Sequence, residues 1–132
     1  MDQQRLLKHL ALLMFFIFIA DYIGTKLYWY YTIWYFDMPM HFLGGLWLGL
    51  FFIYVFSRKE PSFDLNFKLI LTILLAVLFI GVLWELFEIY VNNDIGQIPF
   101  NLLDTISDLF CDLAGGTFAI LYCYNDWYGK NS

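Results

Sequence analysis

Four long apolar stretches divide the chain: about Leu6 to Tyr28, Pro39 to Phe56, Phe67 to Val91 and Phe100 to Tyr124. A membrane-crossing helix needs about 20 mostly apolar residues. Each stretch comes near that length, and the second reaches it if Asp37 extends it. The pattern predicts one domain over residues 1–132, an all-α integral membrane bundle of four helices. The breaks are polar or charged. Ser57-Arg58-Lys59-Glu60-Pro61-Ser62 ends in a helix breaker, and Asn92 to Pro99 is a polar loop punctuated by Gly96 and Pro99. Trp29 to Phe36 is a dense aromatic run, expected as an interfacial belt or short surface segment. Arg5 and Lys8 ahead of an apolar run resemble a signal peptide. Phe18, however, stands where cleavage wants a small residue, so this is expected to be an uncleaved first span. Lys130-Asn131-Ser132 is expected as a short solvated tail.

The polar positions inside these stretches carry the chemistry. Asp37 and His41 open the second stretch, and Glu85 and Glu88 close the third. Asp104, Asp108 and Asp112 run along the fourth. A carboxylate at the centre of a membrane helix costs roughly 2.5–3.5 kcal/mol on insertion scales. Such groups are rare unless they face a bundle interior. Spacings of three or four residues place each set on one helical face.

Lys and Arg set the expected orientation. Arg5, Lys8, Arg58, Lys59, Lys68 and Lys130 fall on one side of a four-span topology, and Lys26 falls on the other. By the positive-inside rule both termini are then cytoplasmic. The acids of three helices would meet in the outer half of the bilayer, with Asp104, Asp108 and Asp112 about 8, 14 and 20 Å along the last helix at 1.5 Å per residue. Gly44, Gly45, Gly81 and Gly115 lie near these faces and are expected to let the helices approach. His41, Glu85 and Asp108 are expected within reach of one ion or one water.

Composition agrees. Of 132 residues, 61% are hydrophobic and mean hydropathy is +0.65, more apolar than a soluble domain. The net charge of −5 does not describe a solvated acidic surface, because about half the acids lie in or beside apolar stretches. Seven Lys and Arg with no basic stripe exclude a nucleic-acid partner. Cys111 and Cys123 share one helix about 18 Å apart and cannot bridge within it, so they are expected as packing residues.

Plainer roles stand beside these. Asp37, just before Pro39, suits an N-cap, and Asn101 with Asp104 resembles a capping box. Asp108 and Asp112 lie too far along for capping. Asp21 has Thr25 one turn on and is expected to be locally satisfied. His9 is expected at headgroup level, and Trp47 and Trp84 as packing.

The string Asp37-Met-Pro-Met-His41-Phe-Leu-Gly-Gly45, with Trp84-Glu85-Leu-Phe-Glu88 and Asp104-Thr-Ile-Ser-Asp108-Leu-Phe-Cys-Asp112-Leu-Ala-Gly-Gly116, resembles the VanZ-like family and, more closely, the YjdF-type proteins. The likeness covers about residues 37 to 116. It implies a small multi-pass protein of the bacterial cell envelope, in the plasma membrane, without implying a reaction. Glu88 stands where VanZ-like members have Gln, and Asp112 where they have Asn; both make this site more acidic.

Six carboxylates around one imidazole cannot all stay ionised away from water; protons or bound cations must neutralise them. Oxygen-rich sites favour Mg²⁺, Ca²⁺ or Mn²⁺, and the imidazole adds Zn²⁺ or Fe²⁺. The expected metal ligands are His41, Glu85, Glu88, Asp108 and Asp112. The favoured expectation is binding of an envelope lipid or lipid-linked precursor through a divalent cation, supported by an Asp-xxx-Asp-xxx-Asp array that resembles the metal-diphosphate motifs of membrane prenyltransferases. The alternatives are proton or cation translocation, and a structural or partner-binding protein that includes a homo-oligomer. The bilayer is the expected partner in every case.

Overall fold

The computed structural model describes residues 2–59, 64–92 and 99–128, with side chains to residue 126. The expected breaks around Pro61 and Gly96, and the tail from Lys130, lie outside the described residues. The described chain folds as helices α1 (Gln3–Lys26), α2 (Trp29–Thr32), α3 (Asp37–Lys59), α4 (Phe67–Val91) and α5 (Leu102–Tyr128), without a strand. All but α2 are long and apolar enough to cross a membrane.

The helix ends follow local chemistry. Asp2 accepts from the Gln4 amide and caps α1; Asn66 accepts from the Leu69 amide and caps α4. Asn101 accepts from the Leu103 amide at 3.2 Å at the start of α5. These bonds satisfy N–H groups that have no partner within the helix. Helix α1 ends at Lys26, two residues short of the expected Tyr28, because Tyr28 turns into the left-handed region at φ 57° and starts α2. Helix α3 starts at Asp37, two residues before the expected Pro39. The ring of Pro39 is tolerated there, since first-turn amides need no intrahelical acceptor.

Helices α3 and α5 form the most extensive interface, with α1 against α3 and α4 against α5 and, less, α3. Small residues line the central seam. A Cβ added to Gly45 would overlap the Asp112 main chain, and one on Gly115 would overlap the Phe42 carbonyl. On Gly49 it would lie 2.7 Å from the Ala119 Cβ. Gly45-xxx-Gly49 and Gly115-xxx-Ala119 thus face each other, as close packing in lipid requires. Gly44 corrects the expectation of a packing role: a Cβ there would meet nothing within 4 Å. One residue along a helix turns the side chain by about 100°, away from the seam.

The apolar core sits at one end of the bundle. Leu6, Leu10, Leu50, Ile53, Ile73, Val77, Ala119, Ile120 and Cys123 are all buried there. The Trp47 indole donates to the Leu10 carbonyl at 3.0 Å and stacks on Phe51, tying α1 to α3. Trp84, expected as packing, is instead 52% exposed. Phe15, Phe18, Phe79 and Phe110 point outward at 63–72% exposure, the surface lipid tolerates and water does not.

Candidate functional site

The other end of the bundle holds a cage of acids around one imidazole. The first turns of α3 supply Asp37 and His41, the last turns of α4 supply Glu85 and Glu88, and α5 supplies Asp108 and Asp112. The His41 Nε2 lies 3.7 Å from Glu85 Oε1, 3.8 Å from Asp37 Oδ2, 3.9 Å from Asp108 Oδ2 and 4.0 Å from Glu88 Oε2. The opposite nitrogen, Nδ1, lies 3.3 Å from Asp112 Oδ1. A charge-assisted hydrogen bond would be about 2.7–2.9 Å long. Ligands bonded at 2.0–2.6 Å to a shared cation stand roughly 3–4 Å from their neighbours. The four Nε2 spacings match the second geometry.

The carboxylates gather as two pairs. His41, Glu85 and Asp108 form one triad, and Asp37, His41 and Glu88 form another, each with its ligand atoms within 4.8 Å of one another. The pairs differ in depth. Glu85 and Asp108 side chains are 6% and 2% exposed, whereas Asp37 and Glu88 are 31% and 33% exposed and form the rim. Among the described residues, Glu85 Oε1, Asp108 Oδ1 and Asp112 Oδ2 are buried without a hydrogen-bond partner. A buried polar atom left unpaired costs about 1–3 kcal/mol, more when charged, so the three together are places for a proton, a water or a cation.

Glycine lets the walls close. A Cβ on Gly81 would lie 2.6 Å from Asp112 Oδ2, so any larger residue there would push the Asp112 carboxylate from its place. Gly45 similarly admits the Asp112 main chain beside α3. Gly49 and Gly116 belong to the same seam, beyond the glycines expected there. The Gly45-xxx-Gly49 spacing is the pattern that marks Gly49.

Asp104 is not brought into the cage. It is exposed one turn before Asp108, and its carbonyl accepts from the Ser107 hydroxyl at 2.7 Å. Asp21 finds a partner other than Thr25: its carboxylate accepts from the Tyr30 hydroxyl at 2.7 Å. Tyr30 packs edge-on against Phe36, which also meets Trp29, so α2 folds back on α1 just before the chain enters α3. Burial first, and then the bond to Asp21, hold the Tyr30 phenol above its ordinary range and keep it a donor. At the opposite end, His9 lies half-buried and edge-on to Tyr122. Cys111 and Cys123 are both free thiols, and Cys123 is buried in the core.

Residues 3–126 match the family described as "Predicted membrane protein (DUF2238)". An "Uncharacterized protein" of Thermotoga maritima is 30% identical over 101 residues, covering 75% of this chain and 53% of that protein. The chain therefore spans about half the length of that curated relative. No solved structure matches. Four membrane-length helices and a family match over nearly the whole chain lead to one statement: the chain belongs to the DUF2238 family of predicted membrane proteins and is a multi-pass membrane protein.

Proposed function

We propose that the protein binds a divalent cation in the His41-centred cage and, through it, the phosphate of an envelope lipid or lipid-linked precursor. The observation that carries this reading is the set of buried, unpartnered oxygens on Glu85, Asp108 and Asp112 around one imidazole. His41 Nε2, Glu85 and Asp108 are the inner ligands. Asp112 holds Nδ1 from behind and so keeps Nε2 turned toward the acids, the arrangement by which a carboxylate orients a metal-binding histidine. Glu88 and Asp37 border the open side. No Lys or Arg lies on the helical turns that build the cage, so an anionic headgroup would be held there by a cation.

Orientation belongs to the same reading. The bias of Lys and Arg puts both termini in the cytoplasm and the cage in the outer half of a bacterial plasma membrane. The resemblance to VanZ-like and YjdF-type proteins supports that envelope setting. Beyond Asp112 the bundle interior turns apolar at Ile53, Ile73 and Val77, which disfavours a polar path through the bundle.

The test is metal retention. The purified protein, equilibrated with Mn²⁺ or Zn²⁺ and freed of excess, should keep metal and gain thermal stability that chelator removes. Glu85→Gln with Asp108→Asn should abolish both effects, and capture of phosphate-bearing lipid should require the metal. A wild type that keeps no metal and melts identically with chelator would overturn the reading. A reporter fused after Ser132 should work only in the cytoplasm; activity outside would overturn the orientation.

A further inference from the structure

We infer that the inner part of the cage selects a single transition-metal ion of the Zn²⁺ or Fe²⁺ class over Mg²⁺ and Ca²⁺, through His41 Nε2 together with Glu85 and Asp108. The inference rests on the cation reading above and names the class of ion.

The nitrogen stands at the centre. An oxygen from each of Glu85, Asp37, Asp108 and Glu88 lies 3.7–4.0 Å from Nε2. An ion shared by these carboxylates therefore meets the imidazole as well. Mg²⁺ and Ca²⁺ take oxygen ligands, whereas an imidazole nitrogen among carboxylates suits Zn²⁺ and Fe²⁺. Depth narrows the choice. His41, Glu85 and Asp108 are all buried, with their ligand atoms within 4.8 Å of one another. The Glu85 and Asp108 side chains are 6% and 2% exposed, and each carries a buried oxygen without a hydrogen-bond partner among the described residues. Mg²⁺ gives up its waters reluctantly and suits so dry a place least.

The imidazole is also aimed. Its Nδ1 faces Asp112 Oδ1 at 3.3 Å. An ionised carboxylate only accepts, so against it Nδ1 carries the hydrogen and Nε2 presents its lone pair to the inner acids. Asp112 is itself fixed in place. A Cβ on Gly81 would lie 2.6 Å from its Oδ2, and one on Gly45 would overlap its main chain. Helices α3 and α4 thus close on the residue that turns the ring. A carboxylate behind a ligating histidine sets the tautomer and raises the basicity of the ring, a recurrent device of transition-metal sites. A site that binds Mg²⁺ or Ca²⁺ through oxygen alone has no use for it.

The experiment uses the full chain in detergent, offered Zn²⁺ against an excess of Mg²⁺ and Ca²⁺ and then freed of unbound ions. Elemental analysis should give about one Zn per chain and neither competitor. Co²⁺ in place of Zn²⁺ serves as a paramagnetic probe. Proton magnetic resonance should then show one strongly shifted, solvent-exchangeable signal from the His41 Nδ1–H. His41→Gln should remove that signal and the preference for Zn²⁺, and His9→Gln, at the other end of the bundle, should change neither. Asp112→Asn should move the signal and weaken Zn²⁺ binding about 10- to 100-fold, which a merely structural role would not do to the spectrum. The wild-type competition and spectrum decide the matter even where a variant fails to fold. Retention of Mg²⁺ or Ca²⁺ in place of Zn²⁺, or bound Co²⁺ without the shifted signal, would overturn the ion class and leave the single-cation function standing. No retained metal of any kind would overturn both.

Discussion

The two ends of this bundle each hold a buried cluster, and the clusters are chemically opposite. At one end Ile53, Ile73, Val77, Ala119 and Cys123 are fully excluded from the surface; at the other Asp108, Glu85, Asp112 and His41 are 2–7% exposed. The first set gains from burial through close packing. The second set loses hydration, and buried oxygens on three of its side chains have no hydrogen-bond partner among the described residues. A fold that was only minimising its free energy would fill both ends with apolar side chains. The apolar end therefore carries the stability, and the polar end is the place where local chemistry departs from the rules of a good core, as functional sites do. Between them lies the glycine seam, which sets how closely the walls of both ends can stand.

The largest effect is expected from closing that seam. Gly45→Leu would drive a side chain into the Asp112 backbone, which cannot swing aside as a flexible side chain can. It should abolish recovery of folded, monodisperse protein. Gly44→Leu, one position away in open space, should leave recovery and melting near wild type, and equal damage from both would break the seam argument.

Truncation at the apolar end comes next. Ile73→Ala removes a fully buried side chain and should cost about 2–5 kcal/mol, read as a lower melting temperature. The loss should be the same with and without chelator. Chelator dependence there would blur the division between the two ends.

Asp108→Asn sharpens the comparison. If a cation occupies the cage, the change should weaken metal retention, and enough added ion should restore wild-type stability by mass action. Saturation of the wild type at a hundred times its dissociation constant is worth about 2.7 kcal/mol. If protons do the neutralising, the same change should be nearly neutral or stabilising, because Asn imitates a protonated Asp. Asp112→Asn, deeper along α5, should show the proton-like result more strongly. Chelator-insensitive wild type with unharmed variants would remove the cation from the polar end.

The smallest effect is expected at the rim. Tyr30→Phe deletes the bond to Asp21 and should cost about 0.5–1.5 kcal/mol. Its partner variant Asp21→Asn should cost a similar amount, and the double change should cost little more than either alone. Strict additivity in melting experiments would show that the two side chains do not cooperate in holding α2 to α1.

Much of this was legible in the chain because the signals are local. Long apolar runs demand helices in lipid, since every backbone group must be satisfied within the segment. Acids at three- and four-residue spacings share a face wherever the helix goes, so the pairing of Asp37 with His41, of Glu85 with Glu88 and of Asp108 with Asp112 needed no tertiary knowledge. Which faces meet is a different matter. Asp104 has the same spacing to Asp108 as Asp108 has to Asp112, yet it stays exposed while Asp108 and Asp112 are buried. Gly44 and Gly45 are neighbours in sequence, and only the second touches a partner. Asp21 was close to Thr25 in sequence, but the turn at Tyr28 brought Tyr30 to it instead.

The sequence alone determined the helices, their apolar exterior and the residues able to build a polar site, because periodicity and solvent preference act within each segment. The tertiary structure decided that His41 stands between four carboxylates on one nitrogen and a fifth on the other, that inner and rim pairs separate by depth, and that Gly81 and Gly45 make the room. Those outcomes depend on helix rotation and axial offset. Both are set by close contacts between residues far apart in the chain, about which spacing within one helix carries no information.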